Sequence, residues 1–537
     1  MQPVSESAVP ESNSIVDIAG LVVEFGSGKN KHVAVDGVDL QIGPSEVVAV
    51  VGESGSGKST LVSAILGLLP SSASVTSGTI RVDGSDTTSW KENDWRTIRG
   101  RRIGLVPQDP MSNLDPVLRI GHQVDEAVRA HRRLPRAEVH DETASAFTRA
   151  GLPGAERRKY PHQFSGGMRQ RALIAMASVN SPALLIADEP TSALDVTVQR
   201  RILDNLAEVV AGSGAAILLV THDLALAAER ADRIVVMRHG RVVESGTAAA
   251  VFGQPEHDYT RALLASVPSA RPVREAATPA EASIVLEVRN LSKSFGGVPA
   301  VDDVSFVLER GKTLALVGES GSGKSTTAWS CLGLNTPSAG RVFFEGTDVA
   351  SLKGRELRAF RRRVQPIFQD PYASLDPTYT VDRILREPLS AFGIGDRSSR
   401  KARAAELLDL VGLAAATLRR RPSELSGGQR QRVAIARALA AEPELIVCDE
   451  PVSALDVLVQ AQVLDLLQTL QTDLGLTYLF ISHDLGVVRR IADDVAVMTK
   501  GKIVEYGSTT TVFDNPQHDY TRELLGAVPG LRVPIEV

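Results

Sequence analysis

The sequence predicts two tandem α/β domains, each with a largely parallel β-sheet packed between helices. The nine-residue segment GESGSGKST occurs twice without a change, at 52–60 and at 318–326. Later landmarks recur at a constant spacing of 261 residues, as from Asp188 to Asp449. In each half, apolar runs of strand length alternate with helical stretches, which is the pattern of a doubly wound parallel sheet. The chain is therefore an internal duplication.

The repeat sets the predicted domain boundaries. We expect a first domain over 15–267 and a second over 284–530, joined by a linker over 268–283, with a disordered tail over 1–14 and a short tail over 531–537. The linker is rich in Pro, Ala and Ser, a composition typical of exposed connecting segments. With 537 residues, the chain is too long for a single hydrophobic core.

The overall composition is that of an ordinary globular protein, with 43% hydrophobic and 23% charged residues. A net charge of −5 gives no sign of general nucleic-acid binding, for which a strongly basic balance is expected. Apolar runs such as AAILLV at 215–220 are too short to span a bilayer, and the polar start of the chain does not resemble a signal peptide. The two cysteines, Cys331 and Cys448, stand in apolar surroundings, which predicts small core residues in a reducing cytoplasm.

The predicted elements follow one order in each half. A β-rich segment, which contains IVDIAGLVVEF or IVLEVRNLSKSF, precedes the short apolar strand that leads into GESGSGKST. A mostly helical insert follows at about 120–180 and 380–440. Apolar strands then alternate with helices, and two short strands within RIVVMRHGRVVESG or DVAVMTKGKIVEYG close each half.

Each GESGSGKST segment follows an apolar strand, VVAVV or TLALV, and precedes a helix-compatible stretch. This order is that of a phosphate-binding P-loop, because the backbone N–H groups of the loop and the helix N-terminus attract phosphate oxygens. The lysine then reaches the β- and γ-phosphates, and the next serine offers a hydroxyl to Mg²⁺. One match alone could be a Gly/Ser-rich turn with a solvated lysine, but two full matches in matching contexts exclude that interpretation. The predicted ATP-binding residues of the loops are Gly52, Ser54, Gly55, Ser56, Gly57, Lys58, Ser59, Thr60, Gly318, Ser320, Gly321, Ser322, Gly323, Lys324, Ser325 and Thr326.

Two further apolar strands, ALLIAD and ELIVCD, each end in a pair of carboxylates. We expect Asp188 and Asp449 to orient Mg²⁺, and Glu189 and Glu450 to polarise the attacking water. Such a run alone could be a strand that ends in a solvated acidic turn. Its presence twice beside two P-loops favours the catalytic interpretation.

The segments FSGGMRQR at 164–171 and LSGGQRQR at 425–432 place Ser-Gly-Gly before an Arg- and Ala-rich helix. Alone, each could be an ordinary helix N-cap. Between a P-loop and an acidic strand, however, the segment resembles the LSGGQ signature of the ATP-binding cassette (ABC) family, and the resemblance covers nearly the whole chain twice. It implies two ABC nucleotide-binding domains, each with a RecA-like parallel-sheet core, an antiparallel β subdomain and a helical insert.

The resemblance also implies that the signature of one half closes over the nucleotide held by the P-loop of the other half. A serine hydroxyl, glycine N–H groups and a helix N-terminus all suit a γ-phosphate, so no arginine finger is required. One position departs from the family pattern, because Met168 stands where the signature has glutamine. We expect an asymmetry between two working sites. The implied signature contacts are Ser165, Gly166, Gly167, Ser426, Gly427, Gly428 and Gln429.

Other positions match landmarks of the same family. Gln108 and Gln369 match the glutamine that is expected to contact Mg²⁺ and to sense the membrane partner. The SALD segments at 192–195 and 453–456 match the D-loop of the family. The implied Mg²⁺-binding sets are Ser59, Gln108 and Asp188 in the first half, and Ser325, Gln369 and Asp449 in the second.

Two aromatic or imidazole landmarks complete the implied site. His222 and His483 match the histidine near the γ-phosphate. A lone histidine after a strand is more often structural. These two, however, follow Asp188 and Asp449 at the same spacing, which favours the functional interpretation. Phe25 and Phe295 are similar to the aromatic residue that stacks on adenine, although an aromatic in an early strand is as often part of the core.

Two repeated elements point to a subgroup of the family. After each Gln landmark the chain reads QDPMSNLDP or QDPYASLDP, and each half ends in VFGQPEHDYTRALLASVP or VFDNPQHDYTRELLGAVP. Both elements resemble the ATPase subunits of oligopeptide, dipeptide and nickel importers, which usually use two separate ATPase chains. The second element could equally be a C-terminal helix after a Pro-rich turn, with no direct function.

The resemblance implies an ATPase subunit, bound at the cytoplasmic face of the inner membrane, that powers import of di- or oligopeptides. Its partners would be two integral-membrane permease subunits and, indirectly, an extracytoplasmic solute-binding protein. The alternatives are an importer ATPase for another solute such as nickel or glutathione, a twin-cassette protein that acts on ribosomes, and a twin-cassette DNA-repair ATPase. The short Pro/Ala-rich connector disfavours the ribosomal class. Two cysteines can supply neither the zinc modules of the repair class nor an iron–sulfur cluster, so we expect no cluster.

Overall fold

A computed structural model describes residues 14–26, 31–191, 194–266, 283–453 and 455–528 of the chain. Almost all of the expected tails and linker lie outside the described residues, as do Ser192 and Ala193 of the first D-loop and Ala454 of the second. The chain divides into two compact units, one with the strands between residues 16 and 247 and one with the strands between residues 284 and 508.

The first unit contains ten strands, nine α-helices and two short 3₁₀ helices among its described residues. The strands are β1 (Val16–Phe25), β2 (His32–Ile42), β3 (Val47–Val51), β4 (Ala73–Val82), β5 (Ser85–Asp86), β6 (Ile103–Val106), β7 (Leu184–Asp188), β8 (Ala216–Thr221), β9 (Arg233–Arg238) and β10 (Arg241–Thr247). The helices are α1 (Lys58–Ile65), α2 (Glu92–Ile98), α3 (Ile120–Arg129), α4 (Arg136–Arg149), α5 (Gly166–Ser178), α6 (Val196–Ser213), α7 (Leu224–Arg230), α8 (Ala248–Gly253) and α9 (Asp258–Ala265).

The second unit repeats this order with one additional short α-helix, α12, among its described residues. Its strands are β11 (Ile284–Phe295), β12 (Val298–Glu309), β13 (Thr313–Val317), β14 (Ala339–Phe344), β15 (Thr347–Asp348), β16 (Val364–Ile367), β17 (Leu445–Asp449), β18 (Thr477–Ile481), β19 (Asp494–Thr499) and β20 (Lys502–Ser508). Its helices are α10 (Lys324–Cys331), α11 (Gly354–Arg363), α12 (Pro371–Ser374), α13 (Val381–Phe392), α14 (Arg397–Leu410), α15 (Gly427–Leu439), α16 (Val457–Leu474), α17 (Leu485–Ile491), α18 (Thr509–Asp514) and α19 (Asp519–Gly526).

Each unit has two sheets. In the first unit the six-stranded sheet has the order β10-β9-β3-β8-β7-β6, and all its pairings are parallel except that of β9 with β10. The four-stranded sheet, β2-β1-β4-β5, is antiparallel throughout. The second unit has the same two orders in its own strands. The predicted α/β fold, with a parallel core and an antiparallel subdomain, is thus confirmed.

Burial explains why the central strands are apolar along their whole length. Every residue of β8 is buried, as are the first four residues of β7, because helices or the second sheet cover both faces. The core of the first unit joins the two sheets through the apolar face of α1, where Leu61 and Ile65 pack. In the second unit the helices α13, α14 and α15 form a core of their own against β17, β18 and α16.

The strand register places the predicted site at one edge of the parallel sheet. Val51 pairs with Thr221 across β3 and β8, and Asp188 pairs with Val220 across β7 and β8. The carboxyl ends of β3, β7 and β8 therefore lie side by side, and the loop segments that follow them converge. In open α/β sheets this edge is where ligands bind.

A cluster of ion pairs ties the antiparallel subdomain of the second unit to its parallel sheet. Glu444, which precedes β17, accepts hydrogen bonds from Arg363 and Arg310, both at 2.8 Å. These bonds, led by the one from Arg363, lower the pKa of Glu444 to about 2. In the first unit the equivalent position is Ala183, so the carboxylate that completes the cluster belongs to the second unit alone.

The two cysteines are buried, as predicted, in α10 and at the end of β17. Burial raises the pKa of the Cys331 thiol to about 12, and it also raises the pKa of Cys448. Both thiols are therefore uncharged core groups at neutral pH. In the part of the chain that the structure covers, no helix has both the length and the apolar character that a bilayer crossing requires.

Candidate active site

The glycine-rich loop after β3 packs too tightly against its own unit for any side chain at two positions. Gly52 has φ +151°, and a Cβ there would lie 2.2 Å from the Met237 carbonyl oxygen. Gly57 has φ +103°, and a Cβ there would lie 2.4 Å from the Ala34 carbonyl oxygen. Gly57 is the N-cap of α1, which begins at Lys58. The helix thus starts three residues before the helix-compatible stretch LVSAILGLL. The loop therefore needs glycine for both its backbone conformation and its close packing.

The P-loop lysine of each unit is buried and bonded to the loop itself. The Lys58 Nζ donates to the carbonyl oxygens of Gly52 at 2.7 Å and of Glu53 at 2.8 Å. Lys324 makes the same bonds to Gly318 and Glu319 at the same two distances. Only 6% of each lysine is exposed, and burial lowers the pKa of Lys324. The charged end of each lysine is thus held by two carbonyl oxygens at the start of its loop.

The first acid of each pair lies partly buried at the end of its strand. Burial, reinforced by the adjacent Glu189, raises the pKa of Asp188 to about 6. Burial also raises the pKa of Asp449, although the hydroxyl of Ser325 donates a 3.1 Å hydrogen bond to its Oδ1. In the second unit, a P-loop hydroxyl and a strand-end carboxylate thus lie side by side. This is a pair of oxygen donors of the kind that Mg²⁺ prefers.

The second acid is turned toward two partners by an unusual backbone conformation. Glu189 has φ +45° and its N–H donates to the Val220 carbonyl oxygen, which locks the residue to β8. Its carboxylate accepts a 2.7 Å hydrogen bond from Gln108 Nε2 and lies 3.2 Å from His222 Nδ1. A positive φ on a residue other than glycine costs free energy, and such residues concentrate at functional sites.

The second unit repeats this arrangement. Glu450 has φ +46°, accepts from Gln369 Nε2 at 2.8 Å and lies 3.1 Å from His483 Nδ1. The structure therefore brings together the predicted glutamine, glutamate and histidine of each half, which are far apart in sequence.

The charges of the glutamate–histidine pair stabilise one another. Burial alone raises the pKa of Glu189, but the hydrogen bond and charge of His222, with help from Lys58 and Gln108, lower it further than burial raises it. The hydrogen bond to Glu189 raises the pKa of His222 against the effect of burial. Burial lowers the pKa of His483, but Glu450 raises it by more, and the net shift is upward. Each glutamate is thus ionised at neutral pH while a partly cationic histidine holds it.

The signature segments lie at the N-termini of α5 and α15 in their own units. Ser165 caps α5 by accepting from the Met168 N–H, and Ser426 caps α15 by accepting from the Gln429 N–H, both at 3.3 Å. Gln429 returns a bond, since its Oε1 accepts from the Ser426 N–H at 3.2 Å. Methionine has no amide oxygen for this second bond. The departure at Met168 therefore removes half of a capping box from the first signature.

The second glycine of each signature is required by packing. A Cβ on Gly167 would lie 2.3 Å from a methyl carbon of Val198 on α6, and a Cβ on Gly428 would lie 2.3 Å from a methyl carbon of Val459 on α16. The N-terminus of the signature helix can therefore approach the next helix only without a side chain. Structural packing alone accounts for these two glycines, whatever phosphate contacts they make.

The two aromatic candidates lie at strand ends. Phe25 is half-buried at the last residue of β1, and Phe295 is 50% exposed at the last residue of β11. The Lys293 ammonium lies 5.2 Å from the centre of the Phe295 ring. Adenine stacking on these rings stays a prediction.

Sequence reasoning missed one pair of residues that contact the P-loops. The hydroxyl of Tyr259 accepts a 3.0 Å hydrogen bond from the Glu53 N–H, and Tyr520 accepts one of 3.1 Å from the Glu319 N–H. Both tyrosines lie in the repeated HDYTR segment. The exact recurrence of that segment was the available signal, but a repeat does not say what its residues contact.

Comparison with known proteins decides the family. The model of the ABC transporter family matches residues 35–192 and 301–453. The chain belongs to the ABC transporter ATPase family. A second family model, described as the oligopeptide/dipeptide transporter C-terminal region, matches residues 243–296 and 504–536 and so includes both HDYTR segments. As a member of this family, the chain binds and hydrolyses ATP.

Several curated relatives of this ABC ATPase match it almost from end to end. It is 42% identical to the oligopeptide transport ATP-binding protein OppD of Mycobacterium tuberculosis, over 96% of this chain and 98% of that protein. It is 44% identical to the peptidoglycan transport ATP-binding protein YejF of Agrobacterium fabrum, over 96% of both chains. It is 42% identical to the glutathione import ATP-binding protein GsiA of Escherichia coli O157:H7, over 97% of this chain and 90% of that protein. The alignments run across both cassettes, so these relatives share the fused arrangement.

Proposed function

We propose that this ABC ATPase powers import of di- or oligopeptides, or of a closely related peptide-containing solute, through separate permease subunits. The observation that carries the proposal is the match to the oligopeptide/dipeptide transporter C-terminal region in both halves. Relatives named for oligopeptide, peptidoglycan and glutathione transport support the same solute class. A transporter-specific region in both halves favours transport over the ribosomal and DNA-repair alternatives.

Within each half, we propose that the glutamate acts on the attacking water. Glu189 is ionised and held at both carboxylate oxygens by Gln108 and His222, so it is oriented as a general base. Lys58, whose Nζ is bonded to the Gly52 carbonyl oxygen, would supply positive charge for the β- and γ-phosphates. Glu450, Gln369, His483 and Lys324 take the same roles in the second half.

The donor atoms fit Mg²⁺ as the metal bound with ATP. Asp188 is a partly buried carboxylate whose raised pKa marks a group that gains from a nearby cation. The amide oxygen of Gln108 remains a candidate ligand, because its nitrogen is the atom bonded to Glu189. Ser59 would complete the set in the first half, and Ser325, Gln369 and Asp449 would form the set in the second. The metal would neutralise phosphate charge during transfer.

We propose that each ATP site combines the P-loop of one half with the signature of the other, so that Lys58 faces Ser426 and Lys324 faces Ser165. The argument is that each half carries every motif once, and the ABC family pairs its cassettes head to tail. Cross-linking between cysteines that replace Glu53 and Gln429, which leaves Lys58 and Ser426 in place, tests the arrangement in protein trapped with ATP. Cross-links that form only within one half would exclude it.

We propose two integral-membrane permeases and an extracytoplasmic binding protein as partners of this ATPase. With these partners, the ATPase would lie at the cytoplasmic face of the inner membrane. The segments after Gln108 and Gln369 offer a surface for the permeases, because the apolar side chains of Met111 (62% exposed), Val117 (76%) and Tyr372 (61%) project from them. Each segment is stiffened by proline and joined to the glutamine that holds the catalytic glutamate. Closure around ATP can therefore be transmitted to the membrane subunits.

Replacement of Asp109-Pro110 and Asp370-Pro371 by Ala-Ala tests this coupling. The ATPase rate of the purified chain should persist, while peptide uptake by cells falls. Uptake at the parental level with both segments replaced would reject the coupling route. The solute itself is tested by deleting the gene: if all peptides still enter while nickel or another non-peptide solute no longer does, the transport assignment stands and the peptide assignment fails.

A further inference from the structure

The repeated HDYTR segment makes a direct contact with the P-loop of its own half. In the first unit, the Tyr259 side chain is 3% exposed and its hydroxyl oxygen accepts the 3.0 Å hydrogen bond from the Glu53 N–H. The Arg238 guanidinium lies 4.7 Å from the centre of the same ring. Glu53 is the second residue of GESGSGKST, so a residue about 200 positions later in the chain is bonded to the backbone of the P-loop.

A carboxylate on β10 holds the segment in place. Glu244 accepts hydrogen bonds from the backbone N–H groups of Glu256, at 2.9 Å, and His257, at 3.1 Å. His257 Nδ1 in turn accepts from the Tyr259 N–H at 3.0 Å, which caps α9. The residues just before α9 are thus bonded to β10, and this anchor positions the tyrosine against the loop.

The second unit makes the same contacts with its own residues. Glu505 accepts from the N–H groups of Gln517 and His518 at 2.8 and 3.0 Å, and His518 Nδ1 accepts from the Tyr520 N–H at 3.1 Å. Tyr520 accepts from the Glu319 N–H at 3.1 Å. The neighbour of the ring differs, since Thr499 stands at the position of Arg238. What the two halves share is therefore the bond to the P-loop and the carboxylate that anchors the segment.

The peptide group that Tyr259 contacts consists of the Gly52 carbonyl and the Glu53 N–H, and its Gly52 oxygen accepts from Lys58 Nζ at 2.7 Å. The same peptide group in the second unit joins Tyr520 to Lys324 through the Gly318 oxygen, also at 2.7 Å. The Glu53 carbonyl oxygen accepts from Lys58 Nζ at 2.8 Å and from the Ser56 N–H at 3.2 Å. In the second unit, Glu319 accepts from Lys324 Nζ and from the Ser322 N–H, at 2.8 and 3.1 Å. Because a peptide group is planar, fixing its N–H limits the movement of the Gly52 or Gly318 carbonyl oxygen and hence of the lysine bonded to it. A loop held in its binding conformation loses less entropy when it takes up a ligand.

We propose that Tyr259 and Tyr520 are positioning residues for nucleotide binding, through which the oligopeptide-type C-terminal region sets the ATP affinity of the P-loop in its own half. The inference rests on the proposed role of these P-loops as the ATP sites. The region that marks the peptide-importer subgroup is then part of the support of the nucleotide site.

The test replaces both tyrosines by phenylalanine in the full-length chain, which removes the hydroxyl acceptor and keeps the ring. The dissociation constant for ATP, measured with a fluorescent analogue, and the KM for ATP should both rise about 2- to 10-fold, the range that one net hydrogen bond accounts for. The kcat should stay at the parental value, and the unfolding temperature without nucleotide should fall by no more than about 2–4 °C, the effect of losing one hydrogen bond in a domain of this size. The matched control is Asp258→Asn with Asp519→Asn, whose side chains on the same helices are 94% and 95% exposed and pair only with surface arginines.

Glu244→Gln with Glu505→Gln provides a second route to the same effect, because each change leaves one acceptor oxygen for two N–H donors. The ATP affinity should fall in the same direction by a smaller factor. Unchanged ATP affinity in the phenylalanine variant would overturn the inference, as would a lowered unfolding temperature with no change in affinity. If the parental chain itself failed to bind ATP, the proposed function would fall as well, so the two failures are distinguishable.

Discussion

Replacement of Glu189 and Glu450 by glutamine should slow ATP hydrolysis by about 10²- to 10⁴-fold, the contribution of a well-placed general base. Glutamine has the same size but carries no negative charge, and it can offer one oxygen where the glutamate offers two. The contacts of Lys58 with Gly52 and Glu53 do not involve the carboxylate, so ATP binding should stay near the parental level. Lys58→Ala with Lys324→Ala should instead weaken binding.

The histidine variants should have a smaller effect that can be estimated from the geometry. His222 lies 3.2 Å from Glu189 and is at least partly cationic, and a hydrogen bond that involves a charged group is worth about 1.5–3 kcal/mol. His222→Ala with His483→Ala should therefore reduce kcat by about 10- to 100-fold. Burial raises the pKa of Glu189 and His222 lowers it, so the pKa of Glu189 should be higher in the variant that lacks the histidine. The acid limb of the kcat profile should then move to higher pH.

Steady-state ATPase rates between pH 5 and pH 9, with nucleotide binding measured in parallel, check these expectations. Glu92→Gln is a suitable control, because its side chain is 66% exposed and pairs with Arg99 away from the loop. Hydrolysis at the parental rate in the double glutamine variant would refute the assignment of the base. An acid limb that stays in place without the histidines would refute the electrostatic role given to them.

Three further changes test parts of the fold that support the site. Met168→Gln should add an acceptor for the Ser165 N–H and raise the free energy of unfolding in urea by about 0.5–1 kcal/mol, and no gain would show that the capping box is immaterial here. Glu444→Gln should lower the free energy of unfolding by about 1 kcal/mol at pH 7, which is less than the pKa shift of Glu444 suggests, because its arginine partners are about a third exposed. Since the folded-state pKa of Glu444 is lowered to about 2, this difference in stability should fade as the pH falls below about 4.5. A difference that does not depend on pH would contradict the ion-pair explanation. Gly167→Ala should cost about 1–3 kcal/mol by forcing a methyl group against Val198, and Val198→Ala in the same chain should recover part of that loss if the close contact is its cause.

Local sequence patterns predicted much of the fold around the candidate site. The strand, loop and helix around Lys58 follow from an apolar run, glycines and a helix start within about 20 residues, and the structure has all three in that order. The carboxylates at the ends of β7 and β17 and the helical inserts were predictable in the same way, because their signals lie within single segments. The exact repeat strengthened each of these predictions, because each pattern recurs at the matching position of the other half.

Long-range geometry was not predictable from such patterns. The positive φ of Glu189, which turns its carboxylate toward Gln108 and His222, leaves no mark in the periodicity of ALLIADEP. Likewise, Gly167 was predicted as a phosphate contact, but the clash that excludes a side chain comes from Val198 on another helix. The bond from Glu53 to Tyr259 joins residues 206 positions apart, and only the folded sheet brings them together.

The most direct test of the central claim is ATP-driven uptake by the assembled transporter. The chain would be purified with the proposed permeases and binding protein, reconstituted into vesicles, and supplied with ATP and labelled di- and oligopeptides. The account predicts peptide accumulation that requires ATP and is lost when Glu189 and Glu450 are both glutamine. Peptide entry equal to that of vesicles without the chain, in a preparation that still hydrolyses ATP, would contradict it.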